Sequence, residues 1–517
     1  MSMNSSKGVL LLRRNAVSNA LGILLPAVVW VLILPLVLSL LGSQKYGVFT
    51  IAIAVAGFLG FLELGLPSAA TKFIAEISLP SDANRLNKIL STNFALYIAL
   101  GTLVTLLGLM YETKIALLLF SDSGMPLEDL TLIVRLIGIT VILTLLRNGL
   151  SAILFGFQRY DVYNMIQMSY AVTLAAVQGF VVWLGGEVIS LLVAGAVIMG
   201  ASLIALAFSI LRLAPSVRLL FVLDGHLLRI LLSFGMYMML INFAGIILFS
   251  MDKIIVGWIL GPISVTYYAV PSQIVLKIHT AFALLVSFLF PLSSEVDSLG
   301  DRTTLQSLFL DSMQVIIALD GFILVFIGTF AREILTVWIG AAFAESASYV
   351  LVFTCFGYFM LGLSIVPYHF LLGMNRPKQF AILNLLATIC VIGLFSVGLL
   401  SFGLLGGVIL GMTSMLAMGI LPWYAQRVLG ISWNAIWNQS YGRAFALAVG
   451  AFLISIMLPP YWLVRACFFC CYVVLLVLVG NRRRHREMIS EFAVWLFRSM
   501  LHRLGVQKNQ CALLKEK

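Results

Sequence analysis

Apolar stretches of about 20 residues recur almost without interruption from Ala16 to Val479, and about 20 residues is the length an α-helix needs to cross the roughly 30 Å hydrocarbon core of a bilayer. Inside that core every backbone N–H and C=O must be satisfied internally, which leaves helices or closed barrels. Barrel strands alternate apolar and polar residues, whereas these stretches are continuously apolar, so the chain reads as an all-α polytopic membrane protein. Only 10% of its residues are charged, against roughly 25% in soluble domains. A receptor with one anchor and a large soluble domain is therefore excluded. Cys355, Cys390, Cys467, Cys470, Cys471 and Cys511 fall in spans or the C-terminal tail, which predicts neither a disulfide framework nor a metal site.

Hydropathy windows predict fourteen helices, starting near Ala16, Val48, Thr92, Leu130, Asn164, Ser190, Leu231, Val265, Leu308, Ser348, Gln379, Leu404, Arg443 and Trp462. The first is too long for a signal peptide and stays as a helix. Of the 32 Lys and Arg residues, 25 lie on the side of the N-terminus and five on the other, and Arg135 and Lys277 lie inside spans. Basic residues accumulate in cytoplasmic segments, so both termini are expected in the cytoplasm. Topology then accounts for most of the +11 net charge, and no nucleic-acid partner is expected. No connection exceeds about 20 residues, near the upper end of ordinary loops, which leaves little platform for an enzyme.

Four patterns recur at one separation. Leu41-Gly42 with Tyr46 returns as Leu260-Gly261 with Tyr267, Lys114–Phe120 as Arg332–Trp338, Leu154–Arg159 as Leu371–Arg376, and Gly195 as Gly411, at shifts between 216 and 219. The predicted organisation is a six-helix bundle over 1–215, a second in the same orientation over 216–430, two added helices over 431–480, and a basic tail over 481–517. Parallel halves related by an axis along the membrane normal are suited to alternating access at their interface. In the tail, Arg482–Arg486 leads into Met488, Ile489, Phe492, Trp495, Leu496, Met500 and Leu504 at helical spacing, which reads as an amphipathic helix on anionic lipid or a docking surface for a partner enzyme.

Ionisable residues inside spans are functional candidates by default. Lys277, twelve residues into the eighth helix, and His279 beyond it are expected to face a cavity, with Asp320 in the ninth helix as a candidate ion-pair partner. Adjacent residues point about 100° apart on a helix, so Asp252 and Lys253 are expected to divide, one in the cavity and one at an interface. Arg135 and Lys72 complete the cationic candidates, with Asp252, Asp320 and Glu63 as ion-coupling or ion-pair sites. Glu63 precedes Leu64-Gly65-Leu66-Pro67, a bend lining a vestibule or a packing kink. Asp311 is expected to be solvated, and Arg159 and Arg376 to be topological anchors rather than phosphate ligands. Pro26, Pro35, Pro271, Pro291 and Pro367 are hinge candidates. No Walker, glycine-rich phosphate or His-Glu-x-x-His motif occurs, so no cofactor, ATP or zinc chemistry is expected.

Leu41-Gly42 with Tyr46-Gly47, Leu62–Leu66, Asp252 followed by Leu260-Gly261 and Tyr267-Tyr268-Ala269, Trp338-Ile-Gly340 with Phe343, Leu372-Gly373 ahead of Lys378, and Gly403–Gly406 together resemble the polysaccharide and O-antigen lipid flippases (Wzx-type) of the MOP superfamily, relatives of MATE efflux pumps and lipid II flippases. Glu63 departs mildly from the aspartate common there. The resemblance implies two six-helix bundles around a cationic cavity and movement of an undecaprenyl-pyrophosphate-linked oligosaccharide from the inner to the outer leaflet, with polysaccharide polymerases or glycosyltransferases as further partners. No family motif assigns Lys277 or Arg135, which rest on their burial. The alternatives are a drug or cation antiporter of the MATE type, which would favour an acidic, aromatic cavity, and a membrane polymerase or ligase, which would need a large outer loop.

Overall fold

The computed structural model describes residues 25–75, 83–215, 224–439, 441–459 and 461–480. Among these residues nine helices are long and apolar enough to span a membrane. Two of those stretches, Asn242–Ser298 and Pro377–Leu429, are each broken at a non-helical glycine, Gly261 and Gly403. Together with three shorter apolar helices, the count reaches the predicted fourteen.

In chain order these are α1 (Leu25–Leu41) and α2 (Ser43–Glu63), the latter continuing after a break as Leu66–Ala75; α3 (Ala83–Met110), α4 (Leu127–Gly156), α5 (Tyr160–Trp183) and α6 (Val188–Leu213). The second half holds α7 (225–260), α8 (262–285), α9 (Arg302–Thr329), α10 (Ala341–Gly362, continuing to Gly373), α11 (377–402) and α12 (404–429). The last two, α13 (Gly442–Met457) and α14 (Trp462–Gly480), lie against α9. Alternation places the even-numbered helix ends and Arg159, Arg302, Arg376, Lys378 and Arg427 on one face, the basic face. The proposed amphipathic tail lies outside the described residues.

The sequence repeat is written into the backbone. Left-handed φ values occur at Gly42 and Gly261, Gly124 and Gly340, Gln158 and Asn375, and Gly185 and Gly403, pairs separated by 219, 216, 217 and 218 residues. At Gln158 (φ 57°) the following N–H of Arg159 reaches Leu154 O at 2.8 Å, and at Asn375 (φ 57°) that of Arg376 reaches Leu371 O at 2.8 Å. This is the six-to-one closure of a Schellman cap, which satisfies the last carbonyls of a helix. The two arginines thus sit just past identical caps on the basic face, consistent with anchoring. Arg159 pairs with Asp161 at 3.0 Å.

Apolar side chains such as Leu32, Ile204 and Leu400 face outward, as lipid contact requires. Between the halves, by contrast, the helices approach closely. A β-carbon on Gly47 of α2 would overlap the Pro262 carbonyl and lie 3.0 Å from Pro262 Cα. Thr266 Oγ1 donates to Ser43 O at 2.6 Å, and Trp338 Nε1 donates to Val31 O at 2.7 Å. These contacts close the end of the molecule opposite the basic face. Nearer the basic face, the Leu64-Gly65 break of α2 (φ 51° and 69°) abuts Gly235 of α7, where a β-carbon on Gly65 would lie 3.0 Å from Gly235 Cα. Glu63 sits at this break, at the end of a 3-10 turn, and accepts a hydrogen bond from Asn148 Nδ2.

Candidate inter-bundle cavity

Between these two closures lies a cavity of about 560 Å³, within the size range of small-molecule sites. Its wall comes from both halves: Trp30 of α1, Tyr46 and Thr50 of α2, Thr140 and Thr144 of α4, Tyr170 and Gln178 of α5, Ser250 and Lys253 of α7, and Gln273 and Lys277 of α8. The rest of the wall, more than half of its residues, is apolar, with Leu34, Val37, Phe49, Leu174, Met199 and Phe249 among them, and among the described residues no carboxylate lines it. Amides, hydroxyls and two ammonium groups are thus set into a largely apolar wall.

The two lysines are in different electrostatic states. Lys253 is buried, and its Nζ lies 3.0 Å from Asp252 Oδ1 and 2.8 Å from Phe249 O. Tyr268 Oη donates to the same carboxylate at 2.9 Å. Of the two expected to divide between cavity and interface, Lys253 lines the cavity and Asp252 does not, but the two side chains stay paired with each other. A π-helical turn over Ile247–Met251 precedes them, and the lysine's long flexible stem folds back onto its neighbour. A pair removed from water needs such close compensation. Lys277, by contrast, has no carboxylate partner among the described residues, and its Nζ lies 4.7 Å from the Trp30 ring centroid. The ring face attracts a cation without neutralising it. Trp30 in turn leans on Trp338 of the other half, with ring centroids 5.8 Å apart.

The remaining candidates sit elsewhere. His279 does not line the cavity; two residues from Lys277, it projects from nearly the opposite side of α8 and meets the Tyr358 ring edge-on at 5.8 Å. Asp320 is not the partner of Lys277. It is 1% exposed, neither oxygen has a partner among the described residues, and it packs toward Gly362 of α10, where a β-carbon would lie 3.2 Å from its Cγ. Tyr472 Oη of α14, buried and without a partner among the described residues, borders the adjacent Gly321. Arg135 is half exposed and held by Glu112 through two bonds of 2.8 Å, because a residue near a helix end reaches the water more cheaply than the cavity. The bonds to Arg135 hold the Glu112 carboxyl below its usual range. Lys72 is exposed on Leu66–Ala75, beside the Phe73 ring. Glu63 marks the bend, outside the cavity wall.

Several wall residues escape a search restricted to charge: Thr140 and Thr144 share one face of α4, and Tyr170 and Gln178 lie on α5. That signal, polar residues at helical spacing in an apolar span, was available. Arg147 counts among the basic loops by sequence, yet it lies nine residues inside the end of α4.

Residues 12–297 match the family described as "Polysaccharide biosynthesis protein". The "Putative O-antigen transporter" of Shigella flexneri is 25% identical over 382 residues, 72% of this chain and 87% of that protein. The uncharacterized membrane protein EpsK of Bacillus subtilis (strain 168) is 24% identical over 438 residues, 80% of this chain and 83% of its own. Among solved structures, the lipid II flippase MurJ in an inward closed conformation superposes with a TM-score of 0.66 at 16% identity, covering 90% of this chain and 99% of that one. An inward-facing MATE multidrug transporter of the MOP superfamily gives 0.63 at 15% identity, covering 80% and 94%.

Proposed function

Because the chain belongs to the polysaccharide biosynthesis protein family, we propose that it moves an undecaprenyl-pyrophosphate-linked oligosaccharide, such as an O-antigen or exopolysaccharide repeat unit, from the inner to the outer leaflet of a bacterial inner membrane. The basic face is the cytoplasmic one in this reading, and both termini lie on it. The halves 1–215 and 216–430 rock about the cavity, with 431–480 as added helices and the tail on anionic lipid. The single observation that carries the reading is the cavity wall: a largely apolar surface that carries an ammonium at Lys277 without a carboxylate partner, together with amides and hydroxyls, and no lining carboxylate among the described residues.

The physics suits such a cargo. A pyrophosphate with its sugars pays many kcal/mol to enter hydrocarbon unpaired, whereas a polar cationic passage lowers that barrier while the lipid tail stays in the bilayer. Outward movement of negative charge runs down an inside-negative potential, at about 2.3 kcal/mol per charge per 100 mV. Among the acidic candidates, Asp252 is committed to Lys253 and Tyr268, which favours Asp320 and Glu63 as ion-coupling sites. A MATE-type cation exporter on the same fold calls for a carboxylate in the wall, and the described residues of this wall supply none.

The test is translocation of a fluorescent lipid-linked oligosaccharide in proteoliposomes by wild type and Lys277→Met. The reading requires the wild type to translocate and the variant to lose at least about tenfold in rate, as expected when a charge-assisted contact is removed. Cation export by the wild type, with no movement of the lipid-linked sugar, would turn the assignment to an exporter.

A further inference from the structure

The last two helices, α13 and α14, lie against α9, and α14 meets the closure opposite the basic face through a short helix. That helix, Ala331–Trp338, follows α9 directly and is set off from its neighbours by bends at Phe330 and Gly340. Its last residue, Trp338, donates to Val31 O of the first half at 2.7 Å and leans on Trp30 with ring centroids 5.8 Å apart. Earlier on the same helix, Glu333 accepts from Arg465 of α14, Nη1 to Oε2 at 2.8 Å. The same guanidinium donates to Thr329 O at the end of α9 at 3.1 Å, and through Nε to Pro459 O, between α13 and α14, at 3.3 Å. The arginine side chain is 13% exposed. A guanidinium stays charged in any protein environment, and one so far removed from water needs close acceptors. It finds them on three separate elements and so ties the three together.

Aromatic packing fixes α14 in this position. One turn beyond Arg465, the Phe469 ring lies 5.6 Å from Phe322 and 5.1 Å from Phe326 of α9, and 6.2 Å from Phe330 just past it, separations at which ring pairs add to area burial. Tyr472 continues that face beside Gly321. The first half holds its corresponding helix differently. Gly124 follows Glu112–Phe120 as Gly340 follows Ala331–Trp338, both with left-handed φ, so the two short helices are equivalent. Glu112 is clamped from within its own half by Arg135 of α4, in a pair whose arginine is 50% exposed. At the repeat separation Arg135 corresponds to Leu351, Val352 or Phe353 of α10, none of which pairs with a carboxylate. The second short helix takes its arginine from α14 instead, in a drier setting.

We infer that Arg465 is a positioning residue for the closure opposite the basic face: through Glu333 it holds the helix Ala331–Trp338 where Trp338 can reach the first half, so that α13 and α14 brace this gate. The gain is entropic. An eight-residue helix between two bends is marginal by itself, and the ordering of its backbone would offset the one hydrogen bond that Trp338 makes across the gate. With α14 in place that ordering is complete before the halves meet. The brace acts whatever cargo the cavity carries.

The experiment uses the full-length protein in sealed vesicles, with Ser250→Cys of the cavity wall as the one cysteine and a membrane-impermeant thiol reagent applied to either face. Arg465→Gln and Glu333→Ala should each speed modification from the face opposite the basic one by about three- to tenfold, the equivalent of the hydrogen bond that Trp338 loses. The double variant should be no faster than either single one, because both break the same contact. Modification from the basic face should stay within about twofold of the parent, which a merely loosened fold would not allow. In a Trp338→Phe background, Arg465→Gln should add less than about twofold, since the contact it positions is already gone. The exchanged pair, Arg465→Glu with Glu333→Arg, should bring the rate back to within about twofold of the parent. Glu333→Ala leaves α14 and its arginine in place and decides the matter if Arg465→Gln does not fold. A rate from the opposite face within about twofold of the parent in Glu333→Ala overturns the brace. An equal rise on both faces, or an undiminished effect of Arg465→Gln in the Trp338→Phe background, overturns it as well.

Discussion

The closure between Gly47 and Pro262 makes the sharpest quantitative prediction. A β-carbon at Gly47 would overlap a backbone carbonyl and lie 3.0 Å from Pro262 Cα, where carbon atoms prefer roughly 3.5–4.0 Å. No flexible side chain stands there to move aside, so α2 and α8 must part by at least about 0.5–1 Å. Overpacking of this kind costs roughly 1–3 kcal/mol, and each 1.4 kcal/mol is about tenfold in an equilibrium constant. Nothing penalises the alternative state in which these ends separate, so Gly47→Ala should shift the molecule toward the form open on the face opposite the basic one by about 5- to 150-fold. Ser250→Cys in the cavity wall, in a background lacking the native cysteines, provides the assay. Its modification by a membrane-impermeant thiol reagent applied to that face of sealed vesicles should accelerate in proportion when Gly47→Ala is added. An unchanged rate in a protein that stays folded would refute the idea that this contact holds the cavity shut.

Trp338→Phe removes the indole donor to Val31 O and leaves that carbonyl unpaired, so it should open the same closure more weakly, by roughly 0.5–1.5 kcal/mol, with a smaller rise in the same labelling rate. Arg135→Ala breaks only a surface pair with Glu112 and should leave translocation within about twofold of wild type, in contrast to Lys277→Met. Asp320→Asn preserves shape in a site without a charged partner and should fold normally; if Asp320 couples transport to protons, the variant translocates without responding to an imposed pH gradient. Asp301 caps α9 by accepting from Thr304 Oγ1, Thr304 N and Thr303 Oγ1, which holds its carboxyl down at about 2. Its folded value lies below the unfolded one, so its contribution is complete above about pH 4 and is lost as pH falls through 2. Asp301→Asn should flatten that limb of the thermal stability profile measured between pH 4 and 2.

Hydropathy and repetition carried much of the architecture, and they did so for reasons that operate locally. A run of 20 apolar residues must be helical in a bilayer whatever it packs against, so the number and order of α1–α14 follow from composition alone. The 216–219 residue shift appears in the sequence as Leu-Gly and Leu154–Arg159 patterns because identical caps demand the same backbone at Gly42 and Gly261, and at Gln158 and Asn375. The cap residues are conformational requirements, and such requirements leave a local trace.

The partner of each charge has no such trace. Whether Lys253 faces the cavity alone or folds back on Asp252 depends on a π-helical turn and on Tyr268, sixteen residues away. Lys277 is free to meet an anion because Asp320 turns toward Gly362 on another helix, and that follows from how α9 and α10 are rotated. Arg147, a loop anchor by sequence, is a membrane-embedded cation because α4 runs to Gly156. Helix identity is written residue by residue; helix rotation and approach, set by small residues such as Gly47 and Gly235 meeting distant backbones, decide which of the scarce charges remain available to a ligand.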